Sequence, residues 1–215
     1  MNPFKSGRNI LLFGPQGSGK GTQGEKLSVV LQLPFIVTGN ILRQNIQSGT
    51  AIGQKIKDHI NQGQLVPDEV TNSMIAERVR EADCQAGFVL DGYPRNIIQA
   101  EALSAVVTVS HLLHIAIPDA EAIRRIGERR TCVAQGHVYH LTHKPPVKPN
   151  VCDVDGSALK QRDDDTEAAL RKRLEIYHTE TEPLLEYYNR LGVVHTIHGE
   201  QVIADVWRDI QALFA

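Results

Sequence analysis

Gly14-Pro15-Gln16-Gly17-Ser18-Gly19-Lys20-Gly21-Thr22 is the stretch around which the chain is organised. The apolar run Ile10-Leu11-Leu12-Phe13 precedes it, and the helix-capable Thr22-Gln23-Gly24-Glu25-Lys26-Leu27 follows. A strand, a glycine loop and a helix start, in that order, build a phosphate cradle. Gly14, Gly17 and Gly19 allow a tight turn whose successive N–H groups point inward, and Gly21 keeps the helix start clear of side chains. Those N–H groups and the helix dipole favour an anion at that spot. Gly17, Ser18, Gly19, Lys20, Gly21 and Thr22 are the candidate phosphate ligands, with Lys20 adding a mobile charge for the outer phosphates. The G-x-x-x-x-G-K spacing fits the P-loop pattern, with Gly21 at the usual Ser/Thr position and Thr22 one place later. A glycine-rich turn can merely join a strand to a helix, but the flanking strand and helix argue against that here.

The rest of the chain bounds the answer. Its 215 residues suffice for one α/β domain with a real core and an inserted flap. Hydrophobic residues at 41% and charged residues at 22% are ordinary for a globular protein. A net charge of −2 gives no reason to expect nucleic acid or a membrane as partner. The N-terminus lacks the long apolar core of a signal peptide, and no apolar run is long enough to span a membrane. Cys84, Cys132 and Cys152 do not make a secreted disulfide framework, so a reducing cytoplasm is expected.

In chain order, strands are expected at about residues 9–13, 33–37, 87–91, 112–117 and 193–197. Helices are expected from the P-loop to about Leu31, then over 41–47 with Thr38 as its cap, and over 53–62 closed by Gly63. More follow from Pro67–Asp68 to about Ala82, over 94–105, over 119–130, from Thr166 onward and over 202–214. Leu170, Leu174, Tyr177 and Leu184 recur at helical spacing, with Pro183 set to kink or end that helix. From Thr131 to about Asp165 the chain holds Pro145, Pro146, Pro149, Gly136 and Gly156 without a helical period, which predicts a small β-rich insert. Strands alternating with helices predict five parallel strands with right-handed crossovers, flanked by helices in three layers.

Transfer of a phosphoryl group needs positive charge and alignment more than covalent chemistry. Arg125 and Arg129 lie four apart and share a helix face. Arg162 precedes the long helix, Arg173 lies within it, Arg43 is on the second helix and Arg95 follows a strand end. Arg124, Arg130 and Arg171 read as solvated faces. Phe88-Val89-Leu90-Asp91 is an apolar strand ending in a carboxylate, a place from which Asp91 can hold Mg²⁺; otherwise it caps the Gly92-Tyr93-Pro94 turn. No nucleophile pattern stands out, and a phosphate acceptor, already anionic, needs no general base.

These segments, with Thr38-Gly39-Asn40-Ile41-Leu42-Arg43, Gly63-Gln64-Leu65-Val66-Pro67-Asp68, Gly87 to Arg95 and Gln161-Arg162-Asp163-Asp164-Asp165, resemble the bacterial adenylate kinases over nearly the whole chain. The resemblance implies a P-loop NTPase-type α/β fold and the reaction ATP + AMP ⇌ 2 ADP with Mg²⁺. It implies that Gly17 to Thr22 cradle ATP, with Arg129, Val138, Tyr139 and Gln201 also contacting it. Thr38, Arg43, Gln64, Leu65, Val66, Gly92, Tyr93, Pro94, Arg95 and Gln99 would form the AMP pocket, Gln99 reading the adenine edge. Arg125, Arg129, Arg162 and Arg173 would clamp the phosphates, with Lys20, Arg95 and Asp91 completing the catalytic set. Residues 37–66 would be a moving AMP-binding flap and 128–165 a lid, and a monomer is implied. A kinase for another nucleoside monophosphate, or a non-catalytic nucleotide sensor, are the alternatives; retention of Lys20 and the clamp arginines argues against the second.

Three positions depart from that family's pattern: Gln16 in the loop, Asn40 in place of an aspartate, and Tyr93 in place of phenylalanine. The lid departs most. Cys132-Val133-Ala134-Gln135 and Cys152-Asp153-Val154-Asp155 resemble the two knuckles of the family's zinc-binding lids, with Gln135 where a second cysteine would be. An amide is a poor zinc ligand, and His137, two residues on, is the candidate fourth ligand beside Cys132, Cys152 and Asp155. A hydrogen-bonded, metal-free corner and a Cys132–Cys152 disulfide are the other readings.

Overall fold

The computed structural model describes residues 8–62, 64–163 and 165–214. The expected helix stop at Gly63, the reading of the N-terminal segment before Arg8, and Asp164 of the R-D-D-D stretch lie outside the described residues.

Five parallel strands form the central sheet: β1 (Arg8–Phe13), β2 (Phe35–Val37), β3 (Gly87–Asp91), β4 (His111–Ala116) and, last in the chain, β8 (Val194–His198). Their spatial order is β2-β3-β1-β4-β8, with Leu11 opposite both Leu90 and Leu112. The central strands are apolar on both faces because helices cover both. On one face Leu11, Phe13, Phe88, Leu90 and Leu112 pack on Ile75, Val79, Leu103 and Tyr188; on the other Ile10, Leu12, Val89, Leu113 and Ile115 pack on Leu27, Val206 and Ile210. The period-two alternation within Ile10-Leu11-Leu12-Phe13 thus feeds two separate cores.

The helices are α1 (Lys20–Leu31), α2 (Thr38–Gln47), α3 (Ala51–Asn61), α4 (Asp68–Arg78), α5 (Ile97–Val106), α6 (Asp119–Gly127), α7 (Glu167–Ile176), α8 (Leu184–Asn189) and α9 (Ile203–Gln211). Helices α2 and α3 carry a small core of their own, Leu42, Ile56 and Val66. Three short antiparallel strands, β5 (Arg129–Cys132), β6 (Val138–His140) and β7 (Leu159–Lys160), form a second sheet over a core of Cys132, Tyr139, Cys152 and Leu159.

Several expected boundaries move. Thr38 does not cap α2: it is itself the first helical residue, and Val37 stands at the cap without a side-chain bond. Thr50 caps α3 instead, its Oγ1 accepting from Gly53 N at 3.0 Å. Helix α4 stops at Arg78 rather than Ala82, and a 3-10 turn over Ala82–Cys84 follows. Arg78 is held there by Asp83, with Nη1 and Nη2 donating at 2.9 and 2.8 Å. Helix α5 begins at Ile97, not Pro94, because Asn96 Oδ1 caps it through Gln99 N at 3.0 Å. Helix α6 ends at Gly127, so Arg129 and Arg130 belong to a strand and not to that helix. The long C-terminal helix is divided before Pro183 by a π turn over Tyr177–Thr181, where Glu182 N bonds Tyr177 O at 2.7 Å. Proline cannot donate to the ladder, and the wider turn accommodates it. Helix α9 stops at Gln211, short of Phe214.

Candidate active site

The loops leaving the carboxyl ends of β1, β2, β3 and β8 converge on one cleft of about 570 Å³, the size of a small-molecule site. Binding at strand carboxyl ends is the rule for open α/β sheets. Every residue expected to touch a nucleotide lines this cleft, from Gly17–Thr22 and Thr38 through Asp91–Arg95 and Gln99 to Val138, Tyr139 and Gln201.

The glycine loop takes its shape from residues with positive φ: Gly14 at 138°, Gly17 at 88° and Gly19 at 98°. A Cβ on Gly17 would lie 2.9 Å from Ala122 O, so the loop is pressed against the start of α6; a Cβ on Gly19 would meet nothing within 4 Å. That side of Gly19 is open space on a residue that lines the cleft. Lys20 Nζ folds back onto the loop, donating to Gly14 O at 2.7 Å and Pro15 O at 2.8 Å. Burial pushes the Lys20 ammonium down to about 8; the Asp91 carboxylate opposes this, while Arg95 and Arg129 add to it. An anion on the loop would relieve that penalty.

On the opposite side, Thr38 Oγ1 is buried and has no hydrogen-bond partner among the described residues. A buried hydroxyl without a partner is costly, and one lining a cleft points to a ligand. Arg43 Nη2 donates to Asn40 Oδ1 at 2.6 Å, so the unusual asparagine still engages the flap arginine. Arg95 is half-buried, and its Nε donates to Gly92 O at 2.9 Å. Burial, then Arg173 and Arg43, hold its guanidinium below the ordinary arginine range, against the pull of Asp91. Gln99 is only 2% exposed. Its Oε1 accepts from Arg95 N at 2.8 Å, and its Nε2 donates to Asp68 Oδ1 at 2.7 Å and Thr71 Oγ1 at 3.2 Å. The amide expected to read a base is therefore already tied to three protein groups. Two of them, Asp68 and Thr71, belong to a helix start in the sequence and carry no sign there of a place in the site.

The clamp arginines are likewise engaged. Arg129 makes a two-pronged pair with Asp165, Nε to Oδ2 at 2.9 Å and Nη2 to Oδ1, and the Asp165 side chain is fully buried. Arg125 Nε donates to Glu121 Oε1 at 2.6 Å and Nη2 to Gly199 O at 3.0 Å. Arg162 Nε donates to Thr131 Oγ1 at 3.0 Å. Arg173 reaches Gln16 Oε1 at 3.1 Å and Ile60 O at 3.3 Å, so the unusual loop residue Gln16 joins α7 to the phosphate loop. Arg124 and Arg171 do lie on exposed faces, paired with Glu121 and Glu167. Asp165 closes the R-D-D-D stretch, yet its partner is 36 residues away, and no local pattern shows it.

In the second sheet, Cys132 Sγ, His137 Nδ1, Cys152 Sγ and Asp155 Oδ2 approach one another: each of the four residues offers a ligand atom within 4.8 Å of the others. Cys152 Sγ lies 3.3 Å from His137 Nδ1, and Cys132 Sγ 3.1 Å from Asp155 Oδ2. Gln135 contributes only its backbone N–H, at 3.3 Å from Cys132 Sγ. Burial pushes the Cys132 thiol up, but Ser157 Oγ and the Gln135 and Ala134 amides outweigh it and bring it down to about 7. All three cysteines are free thiols, so the disulfide reading is not what the structure has.

A glycine phosphate cradle at a strand–helix junction, a second polar pocket and a set of arginines around one cleft define a P-loop phosphotransferase of the α/β class. The family model described as adenylate kinase matches residues 12–193. Adenylate kinase of Archaeoglobus fulgidus is 41% identical over 210 residues, 95% of this chain and 97% of that protein. Those of Streptomyces coelicolor and Streptomyces griseus are 45% and 46% identical over 205 and 213 residues, covering 93% and 96% of this chain and 94% and 97% of theirs. The chain belongs to the adenylate kinase family, the ATP:AMP phosphotransferases.

Proposed function

We propose that the protein carries out ATP + AMP ⇌ 2 ADP with the following division of labour. ATP lies with its phosphates on the amides of Gly17 to Thr22 and on Lys20, its base toward Gln201, with Val138 and Tyr139 over it. AMP lies between Thr38, Arg43, the Gln64–Val66 backbone, Gly92–Arg95 and Gln99, its phosphate meeting Thr38 Oγ1 and Arg95. Arg125, Arg129, Arg162 and Arg173 gather charge around the transferred group. Each must first exchange a protein partner for phosphate: Arg129 leaves Asp165, and Arg173 leaves Gln16 and Ile60 O. Movement of residues 37–66 and 128–165 toward the cleft provides that exchange and excludes water, which would otherwise compete with AMP as acceptor. The protein works as a cytoplasmic monomer.

The carboxylate of Asp91, facing the charges of Lys20 and Arg95 across the cleft, suits a magnesium ion held directly or through water; Mg²⁺ would offset phosphate charge. In the lid, two thiols, an imidazole and a carboxylate are a donor set suited to tetrahedral zinc, and Cys132, His137, Cys152 and Asp155 would hold it as a structural cross-link.

The observation that carries this reading is that both expected nucleotide sites line one cleft in which Lys20, Arg95, Arg129, Arg173 and Arg43 act on one another's charge. Lys20→Met and Arg95→Ala test it. Clamp residues of this kind are worth about 10³–10⁵ in rate. A variant that folds and retains more than about a tenth of the wild-type rate, ~1.4 kcal/mol of barrier or less, contradicts the role given to that residue.

A further inference from the structure

The π turn that divides the C-terminal helix lies against the cleft, and two of its side chains reach away from their own helix. Tyr177 and Thr181 both line the cleft and are 8% and 9% exposed. Thr179, between them, does what a helical threonine ordinarily does: its Oγ1 donates to Glu175 O at 2.9 Å, four residues back. Thr181 does not. Its Oγ1 donates to Arg95 O at 2.8 Å, across 86 positions of sequence, and Tyr177 Oη lies 3.1 Å from His114 Nε2 of β4. The Tyr177 carbonyl takes the N–H of Glu182, so the turn holds one residue more than an α-helix would. Arg95 is thereby gripped on both sides of its α-carbon. Gln99 Oε1 accepts from its N–H at 2.8 Å, and Thr181 Oγ1 donates to its carbonyl. Among the described residues no other donor is bonded to that carbonyl. Holding both peptide groups fixes the direction in which the arginine side chain leaves the backbone. Arg173 sits on α7, the helix that runs into this turn. Its charge disfavours the Arg95 guanidinium, so the two arms repel one another across the cleft.

We infer that Thr181 is a positioning residue for the transfer: through the Arg95 carbonyl it ties the Arg95 arm to the helix that carries Arg173, so that two mutually repelling guanidinium groups stand in fixed relation where the phosphates need them. The π turn then does more than accommodate Pro183, because it turns this hydroxyl toward the loop after β3. Without the hydroxyl the peptide after Arg95 can rotate, and the side chain moves with it. A misplacement of about 1 Å at a reacting centre can cost about 10²-fold in rate. Arg95 N and Nε keep their bonds to Gln99 and Gly92, so a loss of about tenfold is expected. This rests on the assignment of Arg95 to the phosphate of AMP.

The test measures kcat and KM for AMP and for MgATP in wild type, Thr181→Val, Thr181→Ser, Arg95→Ala and the double variant Thr181→Val with Arg95→Ala. Valine keeps the shape and removes the hydroxyl; serine keeps the hydroxyl. Thr181→Val should lower kcat/KM for AMP about tenfold and leave KM for MgATP within about twofold of wild type, while Thr181→Ser stays within about threefold in both. In the Arg95→Ala background, Thr181→Val should cost less than about twofold more, because a residue that acts through another has nothing left to act on. Circular dichroism and Tm confirm that each variant is folded. Thr181→Ala, which sets no methyl against the carbonyl, carries the test should Thr181→Val fail to fold. If Arg95→Ala keeps more than about a tenth of the wild-type kcat/KM for AMP, the reading of Arg95 fails and the inference with it. If Arg95→Ala is impaired but Thr181→Val stays within about twofold of wild type, the inference about Thr181 is overturned and the reading of Arg95 stands. If Thr181→Val costs the same factor with and without Arg95, Thr181 supports the fold and not that arm, and the inference is overturned. Impairment of Thr181→Ser as deep as that of Thr181→Val assigns the effect to the methyl group, and also overturns it.

Discussion

Alanine at Gly14 should chiefly damage the fold and alanine at Gly19 chiefly ATP binding, although both glycines have positive φ. Gly14 has φ 138° and Gly19 φ 98°. Forcing an L-residue into such a conformation costs about 1–2 kcal/mol at either site. At Gly14 the new Cβ would also press on the Ile115 carbonyl and lie 2.8 Å from Ser18 Oγ. Ile115 lies in β4, opposite Ile197 of β8, in a strand flanked by β1 and β8, which leaves it little room to retreat. Overpacking of that kind adds about 1–3 kcal/mol, for a total of about 2–5. With roughly 2–4 °C of Tm for each kcal/mol in a chain of this size, Gly14→Ala should lower Tm by about 4–20 °C and Gly19→Ala by about 2–8 °C. At Gly19, however, the Cβ enters open space on the loop that lines the cleft, where the proposed site places the phosphates of ATP. Gly19→Ala should therefore weaken ATP binding about tenfold or more while staying the more stable of the two. Differential scanning calorimetry with isothermal titration of ATP measures both. If Gly19→Ala binds ATP as the wild type does, the cradle is not the phosphate site. If Gly14→Ala melts no lower than Gly19→Ala, the packing against β4 has been misjudged.

Protein purified without a histidine tag should carry about one zinc per chain, lost together with a lower lid melting temperature in Cys152→Ser; no metal, with Cys132 and Cys152 reactive in the native state, would rule the site out. His178 Nδ1 lies 2.7 Å from Glu182 Oε2 and Nε2 2.9 Å from Asp119 Oδ1. The Glu182 and then the Asp119 hydrogen bonds raise its pKa above the ordinary value of 6.5. A raised folded value means that the stabilisation is fully present below about pH 6.5 and is lost as pH rises through the folded value. His178→Gln should thus lower Tm at pH 5.5 more than at pH 8.5; the side chain is 44% exposed, so the difference should not exceed about 1 kcal/mol. Equal effects at the two pH values would show that the imidazolium contributes nothing.

The sheet was legible because Ile10–Phe13 and Phe88–Leu90 are apolar runs too short for a helix and end in turn or cradle residues, and length and flanking glycines are what separate a buried parallel strand from a buried helix. The cleft was legible because its glycines and carboxylate sit at strand ends, where sequence order alone places them together. What the sequence did not show depends on contacts between distant positions. Arg129 reads as the last turn of a helix that contains Arg125; only the pairing of β5 with β6 and β7 reveals it as a strand residue held by Asp165. Pro183 announces an interruption, but the π turn that precedes it is set by packing around Tyr177 and Thr181, with Thr181 Oγ1 donating to Arg95 O at 2.8 Å. Gln99 reads as an available amide, and its commitment to Asp68, 31 residues earlier, is a tertiary fact. Thr38 reads as a cap from its place before an apolar helix, yet its hydroxyl belongs to the cleft.

The central claim is that phosphate passes from ATP to AMP in preference to other nucleoside monophosphates. A coupled assay of ADP formation with MgATP, run side by side on AMP, GMP, CMP and UMP, measures it directly. Turnover with AMP should lie far above that with the other three and be abolished in Lys20→Met. Equal rates with UMP and AMP, or no ADP from AMP at all, would contradict it.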